Sequence, residues 1–124
     1  MAHYAALERD RQYARTAMPH AREVTVGNTT GFAYEFDCEY GTHYTLFVWF
    51  DGQRYKVKLV NPELERGQLG HATHLFHDGT LCLDPSGLGL PTLADAYAKS
   101  VIWATGHSIY RQTGTFLLNV TNVR

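Results

Sequence analysis

The chain has 124 residues, of which 44% are hydrophobic, 13% aromatic and 19% charged, and its formal net charge is −1. This length predicts a single globular domain over residues 1–124, with a hydrophobic core of its own. A charge so close to zero provides no basic surface for phosphate backbones, so we expect no nucleic-acid partner.

Residues 2 to about 16 are good helix formers, and their apolar side chains recur near one side until Pro19 ends the pattern. We predict a short amphipathic N-terminal helix here. The same segment mixes charged with small residues and has no continuous apolar run, so neither a signal peptide nor a transmembrane helix is expected. The sequence therefore predicts a cytoplasmic protein with no membrane partner.

Four segments with strand composition follow, and turn signals separate them. They are Arg22–Gly27, Phe32–Tyr40, Tyr44–Phe50 and Arg54–Val60. The third segment is apolar on both faces, which is typical of a central strand covered on each side. The dipeptide Asp51-Gly52 between the last two is a strong hairpin signal. Together these segments predict a four-stranded antiparallel meander.

The pattern breaks down after Asn61-Pro62 and stays irregular as far as Pro91, and a stretch of that length inside a compact domain is usually functional. Thr92 then has the character of an N-cap, and we predict a helix that ends at about Thr113 because Gly114 can stop it. We expect the buried side of this helix to carry Leu93, Tyr97, Val101 and Ala104. The last residues, 115–120, predict a short strand or a packed tail. The fold class is α+β.

The two cysteines have different sequence contexts. Cys38 continues the alternating apolar positions of the second predicted strand, which favours an inert thiol in the core. Cys82 lies in the irregular segment between Gly79 and Pro85, where a thiol can be exposed and reactive. Two such cysteines do not make a disulfide framework, so we expect both to be reduced. A short buried Leu81–Leu83 segment with a structural thiol remains the alternative.

The histidines that precede Cys82 raise two further possibilities. His71, His74 and His77 recur every third residue, and imidazole and thiolate are both zinc ligands. That spacing aligns the rings only in a helix, whereas turn residues flank the segment, so we predict no metal and no cofactor. A cysteine hydrolase is a second alternative. It would use Cys82 as nucleophile, a histidine as base and an acid that orients the histidine. His107 is the only candidate histidine that lies downstream and remote from Cys82 in sequence. The candidate acids are Asp84 and Asp95.

The order of elements, with one cysteine between the meander and the last helix, resembles a ubiquitin-conjugating enzyme. The segment Gly79–Leu83 matches the second half of that family's active-site signature. This sequence differs from the first half of that signature at two places. Ala72-Thr73 replaces the family's His-Pro, and His74 replaces the Asn that lies eight residues before the cysteine. The family's proline-rich segment after the fourth strand and its later helices are also missing.

The stretch His74–Leu83 is similar instead to compact bacterial members of the family, which are found in antiphage operons. Trp103 and Thr105-Gly106 on the following helix add to that likeness. The resemblance implies a transferase that accepts a protein C-terminus as a thioester on Cys82 and passes it to an amine. The implied partners are an activating enzyme of the ubiquitin-activating type, a ubiquitin-like modifier or a nucleotidyltransferase C-terminus, and a protein acceptor.

The resemblance also assigns the two catalytic residues, Cys82 and His74. His74 would take the place of the family's Asn, either donating a hydrogen bond to the oxyanion of the tetrahedral intermediate or helping to deprotonate the attacking amine. Asp84 could orient that amine. A catalytically silent binding module with the same fold, in which Cys82 is incidental, is the other expectation.

Overall fold

The computed structural model describes residues 2–38, 41–64 and 69–116. Two α-helices and four strands form an α+β fold, with the predicted N-terminal helix, antiparallel sheet and C-terminal helix. The helices are α1, Ala2–Ala17, and α2, Leu93–Thr113, and the strands are β1, Arg22–Val26; β2, Thr29–Asp37; β3, His43–Phe50; and β4, Tyr55–Asn61. Residues 117–120, with most of the predicted tail, and Glu39 and Tyr40 of the second predicted strand lie outside the described residues. Neither helix has a run long and apolar enough to cross a bilayer.

The four strands form one antiparallel sheet in the order β1-β2-β3-β4. Its register places Phe32 opposite Val48 and Val48 opposite Val57, so the alternating apolar residues of three strands share one face. Both helices pack on that face. The Tyr34 hydroxyl donates to Ser100 of α2 at 2.6 Å, and the hydroxyl of Tyr55 on β4 donates to Asp10 of α1.

The prediction that β3 is covered on each side is wrong, because the helices of the described residues cover one face of the sheet only. On the opposite face Phe47 and Trp49 stack on one another with ring centroids 5.7 Å apart. Phe47 also lies over Gly31 of β2, where a Cβ would come within 2.9 Å of the Phe47 ring. Aromatic packing within the sheet therefore buries Phe47 without a helix, while Trp49 stays half-buried.

The ends of α2 confirm the prediction from its capping residues. The Thr92 hydroxyl accepts from the Asp95 amide at 3.0 Å, and Gly114 adopts a left-handed φ of 80° as it donates to Tyr110. The predicted buried side is only half right: Leu93 and Ala104 are buried, whereas Tyr97 and Val101 are partly exposed. The helix is rotated so that it also buries Ala96, Ser100, Trp103 and His107.

Candidate functional site: the cysteine hairpin and its cleft

Residues 74–82 form a tight loop that we call the cysteine hairpin. The Cys82 amide donates to the His74 carbonyl at 2.8 Å, and the Phe76 amide donates to the Thr80 carbonyl at 2.8 Å. At its tip the Asp78 carboxylate accepts from the Thr80 amide at 2.9 Å, a local bond typical of Asp in turns. These bonds fix the backbone of Cys82 directly against that of His74.

The cysteine hairpin is attached to the edge of the sheet. The Leu81 amide donates to the Val57 carbonyl at 2.8 Å, and the Leu59 amide donates to the Gly79 carbonyl at 3.0 Å. Leu81 and Leu83 are only 4% and 3% exposed, so both neighbours of Cys82 point into the core. Cys82 itself is half-buried. The alternative of a short buried segment therefore describes the two leucines correctly and leaves the thiol at the surface.

Cys82 and His74 line the same open cleft, which has a volume of about 190 Å³. The other lining residues are Gly70, Leu75, Phe76 and His77. Phe76 is 41% exposed and forms an apolar rim. The structure thus brings together the two residues that the sequence assigns as catalytic.

The environment of the Cys82 thiol disfavours its ionisation. Burial, and secondarily the Asp84 carboxylate, raise the pKa of Cys82 above the ordinary cysteine value. The thiol lies 3.9 Å from the Asp84 carbonyl oxygen, at the outer limit of a weak sulfur hydrogen bond. Both influences on the pKa disfavour the thiolate, which is the opposite of what a neighbouring imidazolium would do.

His74 has an unusual backbone conformation. Its φ is +54°, in the left-handed region that only a few per cent of residues other than glycine adopt, with Asn, Asp and His enriched among them. The carbonyl of the preceding residue, Thr73, accepts from the indole N–H of Trp103 at 2.9 Å. The His74 ring lies 4.9 Å from the ring of Phe116, measured between centroids. Contacts from α2 and from the segment after it therefore hold His74.

Asp84 organises the loop that follows Cys82. One carboxylate oxygen accepts from the Gly89 amide at 3.0 Å, and the other accepts from the amide and hydroxyl of Ser86. Because both oxygens bind within the loop, the structure assigns Asp84 a structural role and an electrostatic effect on the thiol. Asp95 caps α2 through its amide and is not among the residues that line the cleft.

His107, the remote histidine considered for a hydrolase, belongs to the core. It is 1% exposed, its Nδ1 lies 2.7 Å from the Tyr44 hydroxyl, and its ring stacks on Trp103. Burial, with a smaller contribution from Arg111, lowers its pKa to about 4. His107 is thus a neutral core residue and is not positioned to act on Cys82.

The metal alternative depends on residues that the structure describes only in part. Among the described side chains, no group of three or more His, Cys, Asp or Glu residues could hold a metal ion. The side chain of His71 lies outside that set.

Cys38 is half-buried and packs against the core just beyond β2, where its amide donates to the Thr42 carbonyl at 2.9 Å. The predicted core position of Cys38 is therefore only partly right.

Phe116 and Gly106 belong to the surroundings of His74, and sequence reasoning did not assign them a role there. The one available signal was a glycine in the middle of a helix, which usually has a packing reason.

Comparison of the chain with protein-family models, with curated proteins and with solved structures gives no match. The cleft and the motif around Cys82 are therefore the features that bear on function.

Proposed function

We propose that this protein is a ubiquitin-conjugating-enzyme-like acyl carrier of a bacterial antiphage defence system. Cys82 attacks the thioester of a protein C-terminus held on an activating enzyme, and the thiol of that enzyme leaves. An amine of a protein acceptor then attacks the new thioester, forms an amide and releases the Cys82 thiol. The modifier is a ubiquitin-like protein or the C-terminus of a nucleotidyltransferase.

The observation that carries this proposal is the setting of Cys82, a thiol of raised pKa in an open cleft on a hairpin held by the sheet. A cysteine hydrolase must attack an unactivated ester or amide, so it needs a thiolate stabilised by a nearby base. A carrier receives an acyl group that is already activated, and it can use an ordinary thiol. A thiol of raised pKa is also a poorer leaving group, which favours a thioester that survives until the amine arrives.

The second support is the position of His74 in the same cleft. Attack on the thioester places negative charge on its oxygen, and a donor held near that oxygen lowers the barrier. The hydrogen bond between the Cys82 amide and the His74 carbonyl, at 2.8 Å, fixes the separation of the two residues along the backbone. We assign the imidazole of His74 as the donor to the oxyanion.

The acyl transfer can be tested without the natural activating enzyme or modifier. The purified protein is incubated with a short peptide thioester that ends in glycine, and its intact mass is followed. We expect one peptide to attach to Cys82 and to be released by hydroxylamine. Cys82→Ala should abolish the adduct, while Cys38→Ala, the matched control at the other half-buried thiol, should retain it.

Addition of free lysine then separates the three candidate functions. A carrier transfers the peptide to lysine faster than to water, and the peptide–lysine amide accumulates. A hydrolase releases the free peptide acid with no lasting adduct and also cleaves ordinary peptide esters. A binding module acylates Cys82 no faster than Cys38. Either of the last two results would overturn the proposed function.

A further inference from the structure

The side chain beside His74 comes from a segment remote in sequence. The rings of His74 and Phe116 lie 4.9 Å apart between centroids, with 51° between their planes. This is the tilted geometry of an attractive contact between aromatic rings. Phe116 is partly buried and packs against the core, so it contacts His74 from a fixed position.

A recess in α2 receives the Phe116 ring. A Cβ at Gly106 would lie 2.6 Å from Cε1 and 2.7 Å from Cζ of Phe116, closer than real Cβ contacts allow. The φ of Gly106 is not in the positive range, so its backbone does not require glycine. Since glycine is unfavourable inside a helix, the space for Phe116 is the feature that accounts for it.

The end of α2 turns the chain so that Phe116 returns to that recess. Gly114 adopts a left-handed φ of 80°, and the Thr115 amide donates to the Thr113 hydroxyl at 3.1 Å. The helix therefore contacts the His74 region twice. Trp103 holds the carbonyl of Thr73 by a hydrogen bond, and Gly106, three residues later on the same helix, seats the ring that lies against His74.

We propose that Phe116, seated on Gly106, is a positioning residue that sets the orientation of the His74 imidazole in the cleft. A residue with positive φ keeps its conformation only when its surroundings determine it. Trp103 provides that constraint for the backbone, and Phe116 provides it for the ring. The consequence for acyl transfer rests on the proposed function, whereas the placement of the ring does not.

The placement is tested by NMR on the isolated protein. We expect a cross-relaxation signal between the rings of His74 and Phe116, and a His74 Cε1–H resonance displaced by the aromatic ring current. Phe116→Ala should shift that resonance, and Gly106→Ala should shift it too because the added methyl group displaces the ring. Thr105→Ala is the matched control, since Thr105 is exposed on the same turn and does not form the recess.

The link to chemistry is tested with the peptide thioester and lysine. We expect Gly106→Ala to reduce transfer to lysine by about tenfold, less than the roughly 100-fold that a misplacement of about 1 Å can cost, and to leave acylation of Cys82 nearly unchanged. In the double variant Gly106→Ala/Phe116→Ala the methyl group has no ring to displace. Its transfer rate should therefore equal that of Phe116→Ala alone.

Several outcomes would overturn the inference. The first is that the His74 and Phe116 rings of the wild type give no cross-relaxation signal. The second is that the His74 resonance in Phe116→Ala and in Gly106→Ala is the same as in the wild type. Alternatively, Gly106→Ala shifts the resonance and retains full transfer while His74→Gln loses it. If His74→Gln also retains full transfer, the proposed role of His74 fails, and the NMR comparison still decides the placement.

Discussion

Two regions of this molecule each place a cysteine near a histidine, and they differ in what surrounds those side chains. In the cleft, Cys82 and His74 lie on the two ends of the cysteine hairpin. In the second region, His107 lies 2.7 Å from the Tyr44 hydroxyl, and burial, followed by the half-buried Cys38, raises the pKa of Tyr44. Both cysteines are half-buried, so exposure does not separate them. The difference is that His74 lines an open cleft together with Cys82, whereas His107 is buried.

The largest expected effect removes an anchor of the cysteine hairpin. Leu81→Ala deletes a side chain that is 4% exposed and leaves a cavity beside Cys82, so we expect a loss of about 3 kcal/mol in the free energy of unfolding. Urea denaturation followed by tryptophan fluorescence measures it. Cys38→Ala, a smaller change at a half-buried site, should cost about 1 kcal/mol or less. Equal losses would mean that the hairpin is not anchored as described.

The next effect concerns transfer chemistry. His74→Gln should slow transfer of the peptide from Cys82 to lysine by about 100-fold, the usual consequence of removing one oxyanion donor, and leave acylation of Cys82 within a few-fold of wild type. Single-turnover discharge across a range of pH measures it. His74→Asn, which introduces the Asn that ubiquitin-conjugating enzymes carry eight residues before their cysteine, should recover part of the loss. Full activity of His74→Gln at every pH would refute the assignment.

The core histidine predicts a pH dependence of stability. Burial lowers the pKa of His107 to about 4 in the folded protein, against about 6.5 in the unfolded chain, so between these pH values the unfolded chain binds the extra proton. The contribution of neutral His107 to the free energy of unfolding is therefore fully present above about pH 6.5 and decreases as the pH falls below that value. We expect a loss of about 2 kcal/mol between pH 7 and pH 5. Denaturation at the two pH values checks it, and His107→Phe should flatten the difference.

The smallest effect sharpens the description of the thiol. The Asp84 carboxylate contributes to the raised pKa of Cys82, so Asp84→Asn removes a negative charge that opposes the thiolate. The pKa of Cys82 should fall, and alkylation by iodoacetamide near pH 8 should become modestly faster. The pH–rate profile of alkylation provides the measurement, with Asp95→Asn as a distant control. An unchanged profile would leave burial as the sole cause of the raised pKa.

Local signals in the sequence predicted the elements well. The ends of α2 follow from Thr92 and Gly114, because a capping residue acts on the backbone within one turn. The strands follow from alternation, which reports the buried face directly. These features depend on neighbours in the chain, and the sequence contains those neighbours.

Features that depend on distant contacts were missed. The predicted buried side of α2 did not include Ser100 or His107, and both are buried because Tyr34 and Tyr44 provide hydrogen-bond partners from the sheet. The contact of Phe116 with His74 joins residues that are far apart in sequence, so no local pattern indicates it. The cleft itself could be expected only through the motif around Cys82, since a volume between a hairpin and a loop has no periodic signature.

The cysteine hairpin has a consequence for solubility. β4 is the last strand of the sheet, and an uncovered last strand offers unpaired amides and carbonyls to other chains. Here Val57 and Leu59 bond to the hairpin, while Tyr55 exchanges two backbone hydrogen bonds with Leu90, at 2.8 and 2.9 Å. The segment that bears Cys82 therefore also shields this edge from strand addition, so substitutions that loosen the hairpin should promote aggregation as well as impair the cleft.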